Sequence, residues 1–169
     1  LLLFSNDGVL ANQIIHPKKQ VEREYLARIR GKPSDEDLKK LLDGFKIEGD
    51  FLKFTDVVRG RTTKSHTWFA MVIMEGKNRA VRKLWNALGF EVSRLKRTRL
   101  GHIFLPADLP SGNFRDLEEK EIKVFIERLE NQIDLLINFN YTTKFGGAVG
   151  NLNAHYFCYP EINWDKEFN

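Results

Sequence analysis

The run TWFAMVIM at residues 67–74 constrains the fold more than any other segment. It is almost continuously apolar, yet far shorter than the roughly 20 residues a membrane-spanning helix needs. Aromatic and β-branched side chains favour the extended state. A strand that is apolar on both sides must be covered on both sides, so this run predicts a central strand. A Gly-Lys-Asn turn follows at 76–78. Beyond it, Val81, Leu84, Trp85 and Leu88 recur at i, i+3, i+4 and i+7, which predicts a short helix. Its other side carries Arg79, Arg82, Lys83 and Asn86, and Gly89 is placed to end it as a C′ glycine.

Strands outnumber helices elsewhere. Leu1–Phe4 reads as a short buried strand, Asn6-Asp7-Gly8 as a turn, and Val9 to Ile15 as a helix stopped by Pro17. Val21–Arg30 predicts a strand with Tyr25, Ala27 and Ile29 on one face. Asp35–Leu42 predicts a helix, and Phe45–Ile47 with Phe51–Val58 a hairpin through Glu48-Gly49-Asp50. Phe90–Leu100 and His102–Leu105 complete the strands. With no regular βαβ alternation, the expectation is an α+β fold with a mainly antiparallel sheet and short helices. A long helix is expected over Asp116–Leu136, with an apolar stripe of Ile122, Phe125, Ile126, Leu129, Ile133 and Leu136. Asp116 and Glu119 have capping-box spacing, and an irregular tail follows the helix.

Charge points to a partner. From Arg59 to Arg99 there are eleven Lys or Arg but only two acids, Glu75 and Glu91. A basic helix side next to a basic strand is the footprint of a phosphate-holding surface. The expected nucleic-acid contacts are Arg59, Arg61, Lys77, Asn78, Arg79, Lys83, Arg94, Lys96, Arg97 and Arg99. The bias is local: residues 1–122 carry a net charge of +6 and residues 123–169 of −2.

Other chemistries find little support. The single Cys158 excludes an intramolecular disulfide. His16, His66, His102 and His155 make no metal-ligand spacing with it, so no metal is expected. Gly146–Gly150 lacks the strand-to-helix frame and following Lys-Ser/Thr of a nucleotide loop. Leu1–Phe4 is too short for a signal-peptide core. A cytoplasmic, monomeric protein without membrane contact is the expectation. Trp68 and Trp85 are read as core residues, and Phe51 and Phe54 in the hairpin as core packing, with base stacking as the alternative.

The blocks LLLFSNDGVLANQIIHP, VEREYLARI, EGKNRAVRKLW, LGFEVSRLKRTRLG and LPADLPSG occur in this order. Together they resemble bacterial ribosomal RNA pseudouridine synthases over about residues 1–122. The branch they resemble groups type A, which acts on small-subunit RNA, with types B, E and F, which act on large-subunit RNA. The resemblance implies an α+β catalytic domain, ribosomal RNA as partner, and isomerisation of uridine without metal or cofactor. An aspartate attacks the nucleoside, and the uracil detaches, rotates and re-bonds through carbon. Tyr25 matches the family's active-site tyrosine, able to stack on the target base. Arg82 matches the basic residue that keeps the nucleophilic aspartate ionised. That aspartate lies in a Gly-Arg-Leu-Asp motif a few residues before the Leu-Leu-Leu-Phe strand. The chain begins at Leu1 of that strand, so the chain alone is expected to be inactive. Asp7, in its Asn-Asp-Gly turn, is not expected to replace the missing residue.

A second resemblance covers the end of the chain. KEIKVFIERLENQIDLL and KFGGAVGNLNAHYFCYPEINW look like adenylosuccinate lyase. The expected division is therefore 1–119, partial synthase domain, and 120–169, lyase-like helical fragment, with a chimeric junction between them. Two alternatives follow: an RNA-binding fragment without chemistry, or a fragment of the lyase.

Overall fold

The computed structural model describes residues 1–16, 19–74 and 76–129. Helix α1 (Gly8–Ile15) precedes strand β1 (Arg23–Arg30) and helix α2 (Asp35–Asp43). Next come β2 (Phe45–Ile47), β3 (Asp50–Leu52), β4 (Asp56–Thr62), β5 (His66–Ile73), α3 (Ala80–Ala87), β6 (Val92–Leu100) and β7 (Ile103–Phe104). Residues 119–129 form a further helix, α4. Five strands make one sheet in the order β4-β5-β1-β6-β7, and β2 with β3 forms a separate two-stranded ribbon. Every pairing in both sheets is antiparallel. The expected α+β architecture with a mainly antiparallel sheet is the observed one.

The apolar run at 67–74 does what its composition demands. β5 lies between β1 and β4, and Thr67 to Ile73 are all buried. One face of the sheet holds the main core, where Ala27, Ile29, Phe69, Met71 and Ile73 meet Val81, Leu84 and Trp85 of α3. The other face holds a small cluster of Leu26, Trp68 and Ala70. Trp68 and Trp85 are therefore core residues, as read from sequence.

Three expectations change. Leu1–Phe4 is not a buried strand: Leu2 is 65% and Phe4 87% exposed. This segment is held to β6 through Arg97, whose Nε and Nη2 donate to the Leu1 carbonyl at 3.0 and 2.9 Å. Phe51–Val58 is not one strand. Phe54 turns inward to the core, with its amide donating to Leu41 at 3.0 Å, and this breaks the segment into β3 and β4. Phe51, three residues earlier, stays exposed and is not a core residue.

The third change concerns the last helix. It starts at 119, with the Glu121 carboxylate accepting from the Glu118 amide at 2.8 Å. The capping spacing is therefore displaced by two residues from Asp116–Glu119. Arg115 donates to both Glu121 carboxylate oxygens, and its hydrogen bonds hold that group down to about 2. Phe125 and Leu129 pack with Val21, Leu100 and Ile103 into a second core. α4 thus contributes two side chains to this core. Residues 130–136 of the expected helix, and the tail after them, lie outside the described residues.

One acid works against the fold. Asp56 on β4 is pushed up from its usual value by burial, partly offset by the Val57 amide, with Glu24 adding repulsion. A carboxyl whose folded pKa is raised stabilises in acid and loses that contribution as pH rises through it. Asp56→Asn should therefore raise the melting temperature at neutral pH by about a few degrees at most. The gain should vanish below the ordinary Asp range; thermal melts across pH 3–8, roughly the span over which such a group titrates, test this.

Candidate nucleic-acid interface

The basic helix α3 is fixed at both ends by local chemistry. Before it, Arg23 on β1 donates through Nη1 to the carbonyls of Val21 and Met74 at 2.7 and 2.8 Å. Gly76 lies on this guanidinium, and a Cβ there would sit 2.8 Å from Nη2. Arg79 then takes the left-handed conformation, φ 55 and ψ 25, as the N-cap residue of α3. For a non-glycine residue this costs roughly 1–2 kcal/mol, and such outliers gather at ligand-binding sites. After the helix, the Gly89 amide donates to Asn86 and the Phe90 amide to Trp85, at 2.9 and 3.0 Å. With Gly89 at φ 81 this is a Schellman closure, sealed by the edge-on Phe90–Trp85 contact.

The result is a small cationic cavity of about 130 Å³ lined by Tyr25, Lys77, Arg79 and Arg82, together with Ile73, Ala80, Val81 and Leu95. None of these lining residues is a carboxylate. Arg82 Nη1 donates to the Val92 carbonyl at 2.6 Å, which aims the guanidinium. A guanidinium carries five donors, so capacity remains toward the cavity. Arg82 also walls a much larger groove, about 1540 Å³, together with Arg94, Lys96 and the segment Leu1–Phe4. A tyrosine ring among cations, opening beside a basic groove, suits a planar aromatic group carried on a polyanion.

The structure sorts the expected contacts. Tyr25, Lys77, Arg79 and Arg82 come together at the cavity. Arg94 and Lys96 face the groove. Asn78 is exposed in the turn before α3, and Arg61 is exposed on β4. Arg79 and Arg94 are exposed and make no side-chain hydrogen bond or ion pair among the described residues. Lys77 instead meets Asp50 at 2.7 Å, and Lys83 meets Glu48. Arg59 lies on β4, the far edge of the sheet, tied to Asp35 and the Pro33 carbonyl at 2.8 Å each.

Arg99 is placed in the interior rather than on a surface. It is 9% exposed and bonds to Glu24, Glu22 and the Gly101 carbonyl at 3.0, 2.8 and 2.9 Å. Burial pulls its pKa down, but Glu22 and Glu24 outweigh that and raise it. Arg97 is on the Tyr25 face of the sheet, paired in register with it, while Arg94 and Lys96 are opposite Arg28 and Leu26. The strand's basic residues therefore divide between two faces, which alternation along a strand enforces.

Two features were missed in the sequence. Arg23 shares a face with Tyr25, Ala27 and Ile29, and a charge in that inward row was the available signal. The acids Glu48 and Asp50 were read only as turn residues. Asp7 does cap α1, accepting from the Val9 and Leu10 amides at 2.8 and 3.1 Å.

No family model matches the chain. The chain is 42% identical over 131 residues to ribosomal large subunit pseudouridine synthase B of Pseudomonas aeruginosa, covering 76% of this chain and 34% of that protein. It is 45% identical over 131 residues to the protein of the same name in Vibrio cholerae, covering 77% and 40%. The chain thus spans less than half the length of these curated relatives. Among solved structures, a pseudouridylate synthase crystal structure matches with TM-score 0.60 at 24% identity, over 72% of this chain and 52% of that one. That likeness speaks for the fold. These relatives do not carry the lyase name, and most of the segment with that resemblance lies outside the described residues.

Proposed function

We propose that this chain is the RNA-gripping and base-holding part of a ribosomal RNA pseudouridine synthase. The observation that carries the reading is the cavity, where Tyr25 and Arg82 stand together among cations. In this reading a target uridine leaves its stack and lies on the Tyr25 ring. Arg82 holds the nucleophilic carboxylate ionised, because a carboxylate under a stacked base needs a fixed positive partner. Neighbouring phosphates run along Arg79, Arg94 and Lys96. The tail that resembles a lyase takes no part in this chemistry.

None of the described residues lining the cavity is a carboxylate that could serve as the nucleophile, so the expected outcome is RNA binding without isomerisation of uridine. Tritium release from labelled uridine in ribosomal RNA should stay at background. Binding of the same RNA should weaken steeply as salt rises. Turnover by the purified chain would overturn the division of labour, and salt-indifferent binding would overturn the interface.

A further inference from the structure

We infer that the turn between β2 and β3 is an acidic latch whose carboxylates occupy, in the free protein, the phosphate sites that Lys83 and Lys77 offer to RNA. The inference rests on the RNA-interface reading and concerns how that interface is kept closed. The two lysines belong to α3 and to the turn that leads into it. Both are met by acids from a single hairpin tip: Glu48 on Lys83, and Asp50 on Lys77 at 2.7 Å. A carboxylate presents the same sign and the same oxygen acceptors as a phosphate oxygen pair, so one can replace the other on an ammonium group.

Stability does not account for the arrangement. The side chains of Glu48 and Asp50 are 69% and 53% exposed, and exposed pairs contribute little to folding. The end of β3 and Phe54, two residues beyond it, anchor the ribbon instead, with Leu52 and Phe54 each 1% exposed. The turn itself is built at a local cost. Ile47 pairs with Asp50, leaving Glu48 and Gly49 as the two central residues, at φ 53 and 88. Two positive φ values make a type I′ turn, whose first position favours Asn, Asp or Gly. Glutamate is a poor choice for that backbone and a good one for reaching Lys83. RNA entering the interface has to displace both acids, which weakens binding of any RNA that cannot make enough other contacts.

The test compares the double variant Glu48→Asn, Asp50→Asn with the wild-type chain. Asn suits the turn, so the ribbon should persist, and melting temperatures check this. The probe is a fluorescein-labelled fragment of large-subunit ribosomal RNA, followed by anisotropy at low and physiological salt. A control, Glu119→Gln with Glu127→Gln on α4, changes net charge equally without touching the lysines. The latch variant should bind about fivefold more tightly than the control. Equal affinity of latch variant and control overturns the latch while leaving the interface intact. Absence of salt-dependent binding by the wild type and every variant overturns the interface reading, and the latch with it.

Discussion

Arg79→Glu combined with Arg94→Glu should weaken binding to ribosomal RNA roughly a hundredfold at physiological salt. Both side chains are exposed and make no side-chain hydrogen bond or ion pair among the described residues, so both are available to phosphates. Each lost phosphate contact removes about 0.9 from the log–log salt slope, so the double variant should lose nearly two. Reversal adds repulsion, which is why the loss exceeds that of neutralisation. The melting temperature should stay within about 2 °C of wild type, since exposed and unpaired charges hold little of the fold. Arg99→Ala supplies the contrast within the same set. It takes from Glu24, whose side chain is 9% exposed, its charged partner at 3.0 Å, leaving the Thr98 hydroxyl hydrogen bond at 3.0 Å. Breaking such a pair costs roughly 3–5 kcal/mol of stability, with RNA affinity of the folded fraction unchanged. Filter binding and thermal melts on all variants separate the two classes. If Arg79→Glu, Arg94→Glu binds RNA like wild type, the cavity and groove are not the RNA surface.

The contrast marks the limit of what the sequence made legible. Periodicity found β5, β1, α3 and β6, because local propensity and burial agree in those segments. It also identified Gly89, whose positive φ only its neighbours' hydrogen-bonding pattern could demand. What it could not place was partnership across the fold. Arg99 and Arg94 are both arginines on one strand, yet one is sealed between two glutamates and the other is open. Their difference comes from what β1 puts opposite: Glu24 beside Arg99, Arg28 beside Arg94. Likewise the partners of Lys77 and Lys83 come from a hairpin 27 and 35 residues away in sequence. The grouping of Tyr25 with Arg82 came from the family resemblance, not from spacing, because strand register is invisible until the sheet is assembled.

Trp85→Ala should be the most destabilising single change in the chain. Trp85 is fully buried and lies where α3 meets the sheet. Its ring centroid is 4.9 Å from that of Phe69, 6.3 Å from Phe54 and 6.1 Å from Phe90. Its Nε1 donates to the Met71 sulfur at 3.4 Å, which satisfies the ring's own polar atom. Removing a core Trp costs roughly 3–5 kcal/mol through lost transfer energy and the cavity left behind. Domains of this kind hold only about 5–15 kcal/mol in total. The expected fall in melting temperature is about 6–20 °C, at 2–4 °C for each kcal/mol. Trp85→Phe keeps most of the ring contacts and should fall about halfway between. Because α3 carries Arg82 and Lys83 and starts beside Arg79, the same change reaches function. Arg82 is held through Val92, itself part of the core under Trp85. RNA affinity of the Ala variant should therefore drop more than its unfolded fraction explains, while Trp85→Phe should bind nearly as wild type. Far-ultraviolet circular dichroism melts and anisotropy titrations at a temperature where both variants are folded measure this. A cooperative melt of the Ala variant within about 2 °C of wild type would remove Trp85 as the support of the helix. It would also leave the position of Arg82 without the packing argument given for it.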